Sequence, residues 1–385
     1  MIPYAHQDVD EADVQAVVDV LRSDWITQGP SVGRFERTVA DYCGARYALA
    51  AINGTAALHL ACRAIGLGPG DVLWTSPITF IASANCARMC GAEVDFVDID
   101  PRTYNMSVEA LEQKLRAAAA RGRLPKAIMP VHLAGQPCEM EPIGRLARHY
   151  GAAVIEDAAH ALGARYRGAP VGACDHADIA VFSFHPVKSI TTGEGGMVVT
   201  QRQDLFDAAV LLRSHGMTRD LTRMDGDSEG PWYYEQLDLG YNYRLPDILA
   251  VLGTSQMRRL DEFVARRRAL VARYGDRLAR LPITLPWQHP DAASAWHLYV
   301  IQLQLDRISK SRREVVEALH AAGIGANVHY IPVHTQPYYR RLGFSRGDFP
   351  HAEAYYARAV TLPLFARLAE EDQDRVIAAL DGILA

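Results

Sequence analysis

The chain has no run of 18 apolar residues, the length a helix needs to cross a bilayer. Its opening, MIPYAHQDVDEADVQAVVDVL, lacks a cationic stretch followed by an apolar core, so it does not read as a secretory signal. The cytoplasm is therefore the expected compartment, with no membrane partner. There is no dense Lys/Arg tract, and the formal net charge is -5. Nothing in that balance attracts nucleic acid or an anionic surface. Cysteine is scarce and scattered, at 43, 62, 86, 90, 138 and 174. Only Cys86 and Cys90 are close, and no second close pair or histidine cluster completes a zinc site, so no metal is expected. The thiols read as reduced and mostly core. No G-x-G-x-x-G follows an early apolar segment, which argues against a nicotinamide-binding dehydrogenase. Internal repeats are absent too.

What is present is an ordinary enzyme composition in 385 residues, 49% apolar and 22% charged. That length suggests two units sharing an interface. Along the first half, short apolar segments alternate with helical patterns. Residues 8–22 have helical spacing with Asp8 as a possible cap, and 33–43 form a second amphipathic helix ending at Gly44. Apolar strands are expected at 47–52, 71–76, 93–100, in AIMPVHLAG, in AAVIEDAA and in IAVFSF, with helices between them. Such alternation predicts an α/β fold, a mostly parallel sheet with helices on both faces. The character changes near 245. Residues 246–281 read as one long helix whose arginines, 258, 259, 266, 267 and 268, suit a solvated face. LYVIQLQL (298–305) and NVHYIPV (327–333) read as strands and 311–322 as a helix, giving a smaller α/β unit.

In a parallel sheet, ligands gather at the carboxyl ends of the strands. The residues that follow the strands here are Gly54 and Thr55, then Pro77, Thr79 and Phe80, then Asp157 and His160, then Ser183, His185 and Lys188. Lys188 is the unusual member. It lies in FSFHPVKSITTGEGGMVVT (182–200), between two apolar runs and without another cation nearby. A desolvated lysine has a lowered pKa and can condense with a carbonyl compound, of which pyridoxal phosphate is the commonest. That cofactor also needs a carboxylate against its pyridine nitrogen, an anion cradle at a helix N-terminus and a flat side chain against its ring. Asp157 fits the first role, although an aspartate there could equally cap a helix. Gly54 and Thr55 fit the second with Ser183, and Phe80 or His160 the third, although a Phe after a strand is more often core.

These residues sit in WITQGP (25–30), NGTAALHLA (53–61), EDAAHALGA (156–164), the lysine segment, RSHGM (213–217) and GYNYRLPDILAVLG (240–253). In them the chain resembles the DegT/DnrJ/EryC1/StrS sugar-nucleotide aminotransferases over essentially its whole length. The resemblance implies the PLP-dependent transferase fold of aspartate-aminotransferase type (fold type I). Residues 1–245, with an N-terminal arm, would form the large cofactor-binding domain and 246–385 the small C-terminal one. It implies Lys188 as the lysine that carries pyridoxal 5′-phosphate and Asp157 as its pyridinium partner. Gly54, Thr55 and Ser183 would bind phosphate, with His160 and Phe80 at the ring. Asn242 would reach the cofactor of a second subunit, which makes the enzyme a homodimer with composite active sites. Candidates for holding the nucleotide diphosphate are Arg213, His215, Arg244, His329 and His334. L-Glutamate is the implied donor and a UDP-linked 4-keto sugar the acceptor.

Many relatives carry Gln where this chain has His160. That histidine, the HPVK form of the lysine motif and HYIPVHTQPYYR (329–340) look most like the subgroup that makes UDP-4-amino-4,6-dideoxy-N-acetyl-β-L-altrosamine for pseudaminic acid. GDP-perosamine and UDP-4-amino-arabinose types are the runner-up. Non-catalytic relatives, dehydratases or sensory binding proteins, lack the lysine, and Lys188 argues against them.

Overall fold

The structure, a computed structural model, describes residues 1–384. Helices α1 (Glu11–Leu21) and α2 (Pro30–Cys43) open the chain. Then come β1 (Tyr47–Ala51), α3 (Gly54–Ala64), β2 (Val72–Thr75), α4 (Ala82–Met89), β3 (Glu93–Phe96), α5 (Val108–Ala120), β4 (Ala127–Met129), α6 (Met140–Tyr150) and β5 (Ala153–Asp157). Strands β6 (Ile179–Ser183) and β7 (Gly196–Thr200) flank the lysine segment, and α7 (Gln203–Arg213) follows. The remainder holds α8 (Asp247–Met257), α9 (Leu260–Leu278), β8 (Ile283–Thr284), β9 (Tyr299–Leu303), α10 (Arg312–Ala321), α11 (Pro337–Arg340), α12 (Pro350–Arg358), β10 (Ala359–Leu362) and α13 (Glu370–Leu384).

The first seven strands form one sheet in the order β1-β7-β6-β5-β4-β2-β3. Only β7 runs against the others, antiparallel to both β1 and β6. The pairs from β6 to β3 are parallel. Their near-continuous apolar sequences suit burial on both faces. One face packs Leu49, Leu60, Leu73, Phe96, Ile155 and Val181, and the other Phe35, Val39, Phe182, Phe184, Met197 and Leu260. A third core, in the C-terminal part, joins Tyr274, Tyr299, Leu319, Val376 and Leu380 around the three-stranded sheet β8-β9-β10. Each such side chain contributes roughly 1.5–3 kcal/mol, against about 1 kcal/mol for a helix cap. Packing therefore decides that the elements exist, and capping decides where they stop.

Capping places the ends. Gly44 closes α2 at φ 70°, a left-handed conformation that glycine adopts without steric cost. Helix α1 is capped by Asp10, not Asp8: Asp10 accepts from the Asp13 N–H at 3.0 Å, and Asp13 accepts from the Asp10 N–H at 3.1 Å. Asp8 instead pairs with Arg259 at 3.1 Å and Arg367 at 3.3 Å.

Three expectations for the second half need correction. The span 246–281 is two helices, broken at Arg258 and Arg259. Arg259 leaves the helical region (φ -109°, ψ 3°), and its guanidinium reaches Asp8 and Asp10, 3.1 and 2.9 Å away. The arginine run is not one solvated face: Arg267 is 2% exposed and donates to the carbonyls of Trp296, His297 and Leu364. Residues 327–333 form no strand. Asn327 makes a single bridge to Thr361 of β10, after which the chain turns away and Val328, His329 and Tyr330 line a cavity.

The N-terminal residues form an arm. Ile2 donates to Gly323 at 2.8 Å and accepts from Gly325 at 2.7 Å, and Leu364 donates to the Tyr4 carbonyl at 3.0 Å. Ile2 is buried in the third core.

Candidate active site

The carboxyl ends of β1, β2, β5 and β6 open onto a cavity of about 620 Å³. After β1 the chain turns at Asn53, whose side chain caps α3 by accepting from Ala56 N–H at 2.8 Å. The first turn of a helix leaves N–H groups without intrahelical partners, and these face anions well. Gly54 must be glycine for a spatial reason. A Cβ there would stand 2.9 Å from Ser183 Cβ and 3.0 Å from its Oγ. Gly196, in the GEGG stretch, is under the same constraint: a Cβ would meet the Asn53 carbonyl oxygen at 2.5 Å. The N-G-T and G-E-G-G motifs, far apart in sequence, thus interlock by close backbone approach.

Asp157 ends β5 and is 4% exposed. No helix follows it, so it is not a helix cap. Its Oδ1 accepts from Ala159 N–H at 3.1 Å, and its Oδ2 accepts from the Ser83 hydroxyl at 2.5 Å. Phe80, before α4, is exposed and lines the cavity, with its ring centroid 6.2 Å from that of Tyr330. It is not a core residue.

Lys188 lies in the loop from β6 to β7, half-buried, with its side chain on the cavity. Burial pushes its ammonium down to about 8, against the opposing pull of Asp157. A useful fraction of the amine is then neutral near neutral pH.

His160 sits beside Lys188 on the same cavity. The Ala134 N–H lies 3.3 Å from its Nδ1, so that nitrogen accepts. Nε2 therefore carries the proton and donates to Tyr330 Oη at 3.2 Å. Burial first, then the charge of Lys188 and the proximity of His329, hold His160 well below the usual histidine range. The His297 ring lies against it at a tilt of 45°, with centroids 4.3 Å apart. His329 also lines the cavity and is pushed down to about 4, by burial and then by Lys188. Burial pushes the Tyr330 phenol up, so it stays protonated.

The cavity thus gathers Gly54, Thr55, Phe80, Asp157, His160, Ser183, Lys188 and His329. Other candidates lie elsewhere. His334 is fully buried between Phe96 and Phe349, and its Nε2 is 3.0 Å from Glu353; it holds the fold and does not face the cavity. Arg213 donates to Glu36 at 2.7 Å and to the Ala50 carbonyl at 3.0 Å, tying α2 to β1. Arg244 and His215 are outside the cavity lining, and Asn242 is exposed on the surface of the single chain. Residues not foreseen also line it: Tyr4, Ser83, Glu194 and Tyr330. Tyr330 had a signal, its place beside His329 in a segment already singled out. Tyr4 had none, because only the arm's docking brings it there. A second cleft of about 670 Å³, beside Trp74, Lys114 and Phe344, gathers none of these groups. Among the described residues, no group of three or more His, Cys, Asp or Glu side chains is arranged to hold a metal ion, and no helix is long and apolar enough to cross a membrane.

A model of the DegT/DnrJ/EryC1/StrS aminotransferase family matches residues 7–381. The chain belongs to that family. GDP-perosamine synthase of Caulobacter vibrioides is 41% identical over 374 residues, covering 96% of this chain and 94% of that one. Among solved structures, PseC of Helicobacter pylori, an aminotransferase involved in the biosynthesis of pseudoaminic acid, is similar with a TM-score of 0.90. It is 30% identical, with 100% of this chain and 99% of that one covered. Spr1654 of Streptococcus pneumoniae, solved in a PMP-form, has a TM-score of 0.90 at 31% identity, with coverage of 100% and 99%. It was also solved in a PLP-form. The chain is therefore a PLP-dependent sugar aminotransferase of fold type I. Its six cysteines are free and buried, as expected of reduced core thiols.

Proposed function

We propose that the protein moves the amino group of L-glutamate to C4 of a 4-keto-6-deoxy sugar nucleotide, using pyridoxal 5′-phosphate held in the Lys188 cavity. The observation that carries this reading is the convergence of Lys188, Asp157, Gly54, Thr55 and Ser183 on one cavity of about 620 Å³. That volume is within the range of small-molecule sites. The donor set suits the cofactor: an amine with a lowered pKa, a buried carboxylate, and a helix N-terminus pressed against a serine where a Cβ would not fit. When bound, the cofactor supplies an electron sink for the substrate's Cα electrons. Lys188 would anchor it, and its freed amine would take the Cα proton and pass it to the cofactor carbon on the far side of the substrate nitrogen. Asp157 holds a proton on the ring nitrogen. Gly54, Thr55 and Ser183 bind the phosphate. Phe80 and neutral His160 flank the ring, and His329 faces the substrate side.

The same proposal divides the chain into a cofactor-binding unit, 1–245 with its N-terminal arm, and a smaller unit, 246–385. Helix α8 crosses that division to pack on α1 and α2. It also makes the enzyme a cytoplasmic homodimer, with the exposed Asn242 reaching the partner's cofactor.

For the acceptor we propose UDP-2-acetamido-2,6-dideoxy-β-L-arabino-hex-4-ulose, converted to UDP-4-amino-4,6-dideoxy-N-acetyl-β-L-altrosamine. Support comes from His160 with the HPVK motif and from the likeness to PseC. The 41% identity with a GDP-perosamine synthase favours a second reading, a GDP-linked 4-keto-6-deoxy sugar. A pocket that hydrogen-bonds an acetamido group discriminates strongly against sugars without one, because its own polar groups are then unpaired. Turnover with glutamate of the N-acetylated UDP sugar and of the GDP sugar decides the matter. The expected kcat/KM ratio is at least about a hundredfold, near 2.7 kcal/mol, in favour of the UDP sugar, with no turnover by Lys188→Ala. A preference for the GDP sugar would move the enzyme to the second reading and leave the cofactor chemistry intact.

A further inference from the structure

Asp157 is held from two sides, and the shorter contact comes from a residue outside its own loop. Ser83 is fully buried in the first turn of α4, and its hydroxyl lies 2.5 Å from Asp157 Oδ2. A hydroxyl has one proton. Three acceptors compete for it: Asp157, the Thr79 hydroxyl oxygen, and the Phe80 carbonyl at 3.2 Å, the last an ordinary back-bond of a helical serine. The carboxylate is closer and charged, and bonds of that kind run at about 2.5–2.7 Å. The proton therefore goes to Asp157. Ser83 Oγ also stands 2.6 Å from Thr79 Oγ1. With the Ser83 proton committed, Thr79 must be the donor there. The result is a one-way relay, Thr79 to Ser83 to Asp157, buried at every member. It ties the loop after β2, the start of α4 and the end of β5 to a single carboxylate orientation.

We infer that Ser83, backed by Thr79, is a positioning residue for Asp157, fixing the carboxylate oxygen that meets the cofactor's ring nitrogen. The inference rests on the role proposed above for Asp157. Without the hydroxyl, Oδ2 loses its shortest bond and the carboxylate is free to turn about its terminal torsion, while the Thr79 hydroxyl loses its acceptor. Alanine suits a helix well, so Ser83→Ala should leave α4 intact.

The test is a double-mutant cycle on the cofactor-loaded enzyme with Ser83→Ala, Asp157→Asn and the pair. Two readings are taken: kcat and KM for glutamate, and the dissociation constant of pyridoxamine 5′-phosphate by equilibrium dialysis. Ser83→Ala should lower kcat by roughly 10- to 100-fold, the scale of a misplaced group, with KM for glutamate changed less than about twofold. It should weaken pyridoxamine phosphate binding by about tenfold, the scale of one charge-assisted hydrogen bond. Both losses should vanish in the Asp157→Asn background, and Ser83→Thr, which keeps the hydroxyl, should recover most of each. Losses that multiply in the double variant would make Ser83 a packing residue and overturn the inference. So would a Ser83→Ala enzyme within about twofold of the parent while Asp157→Asn is crippled. An Asp157→Asn enzyme within about tenfold of the parent would overturn the role of Asp157 itself, and this inference with it.

Discussion

Lys188 carries a cost that the fold accepts for chemistry. Its ammonium titrates at about 8 in the folded chain, against about 10.4 when unfolded. Between those values the unfolded chain binds more protons than the folded one, so stability rises with pH across that window. Below pH 8 the full cost is present, and above about 10.4 it is gone. In the cofactor-free protein, Lys188→Met keeps the apolar stem without the charge. Its Tm should exceed the parent's at pH 7, and the gap should close as pH rises to about 10.4. A gap that held constant or widened with pH, measured by calorimetry, would mean that Lys188 is not desolvated. At this scale the sequence was informative where a motif carries its own geometry. Lys188 and Gly54 stand in short segments whose small residues permit close approach; the part Gly196 plays in that approach came only from the structure. Ser83 was not legible, because its partner lies 74 positions away, at the end of a strand. A buried serine four residues after Thr79 on a helix was the only trace.

Helix α2 has Gly29 at its N-cap, a residue with no side chain to cap it. The cap comes from another helix: Asp247, at the start of α8 and fully buried, accepts from the N–H groups of Gly29 and Ser31, each at 2.7 Å. A carboxylate is well placed at that end of a helix dipole. Asp247→Ala would leave two donors without an acceptor, that of Ser31 buried and that of Gly29 partly so, and should cost about 2–3 kcal/mol. Asp247→Asn keeps one acceptor oxygen and should cost clearly less. Urea midpoints of the two variants check the order, and equal midpoints would refute it. The same contact shows why element ends were harder to read than elements. Apolar runs and helical spacing gave the strands of the main sheet and most helices. The antiparallel course of β7 and the break at Arg259 depend on contacts from elsewhere in the chain, such as Asp8 and Asp10. Residues 327–333 have the apolar alternation of a strand, but only Asn327 finds a strand partner; Val328, His329 and Tyr330 line the cavity, and Val333 packs into the core.

Asn242 is where the proposed dimer can be tested. If it serves the partner's cofactor, then Lys188→Ala and Asn242→Ala chains are each inactive, but a mixed dimer has one site with both intact residues. Random reassociation makes half the dimers mixed, so about a quarter of the parent's activity should return. No recovery, with subunit exchange verified by mass spectrometry, would show that each site is built within one chain. Within a single chain the cavity already draws on residues from Tyr4 to Tyr330. Tyr4 lines it, and the arm that carries Tyr4 is fastened by Gly323, Gly325 and Leu364. Ile2 and its bridge partner Ile324 are separated by most of the chain. At roughly 5–20 residues per second of synthesis, the first residues wait on the order of 15–65 s before their docking surface exists. The arm therefore cannot dock, nor this part of the cavity wall close, until the chain has been made as far as Leu364.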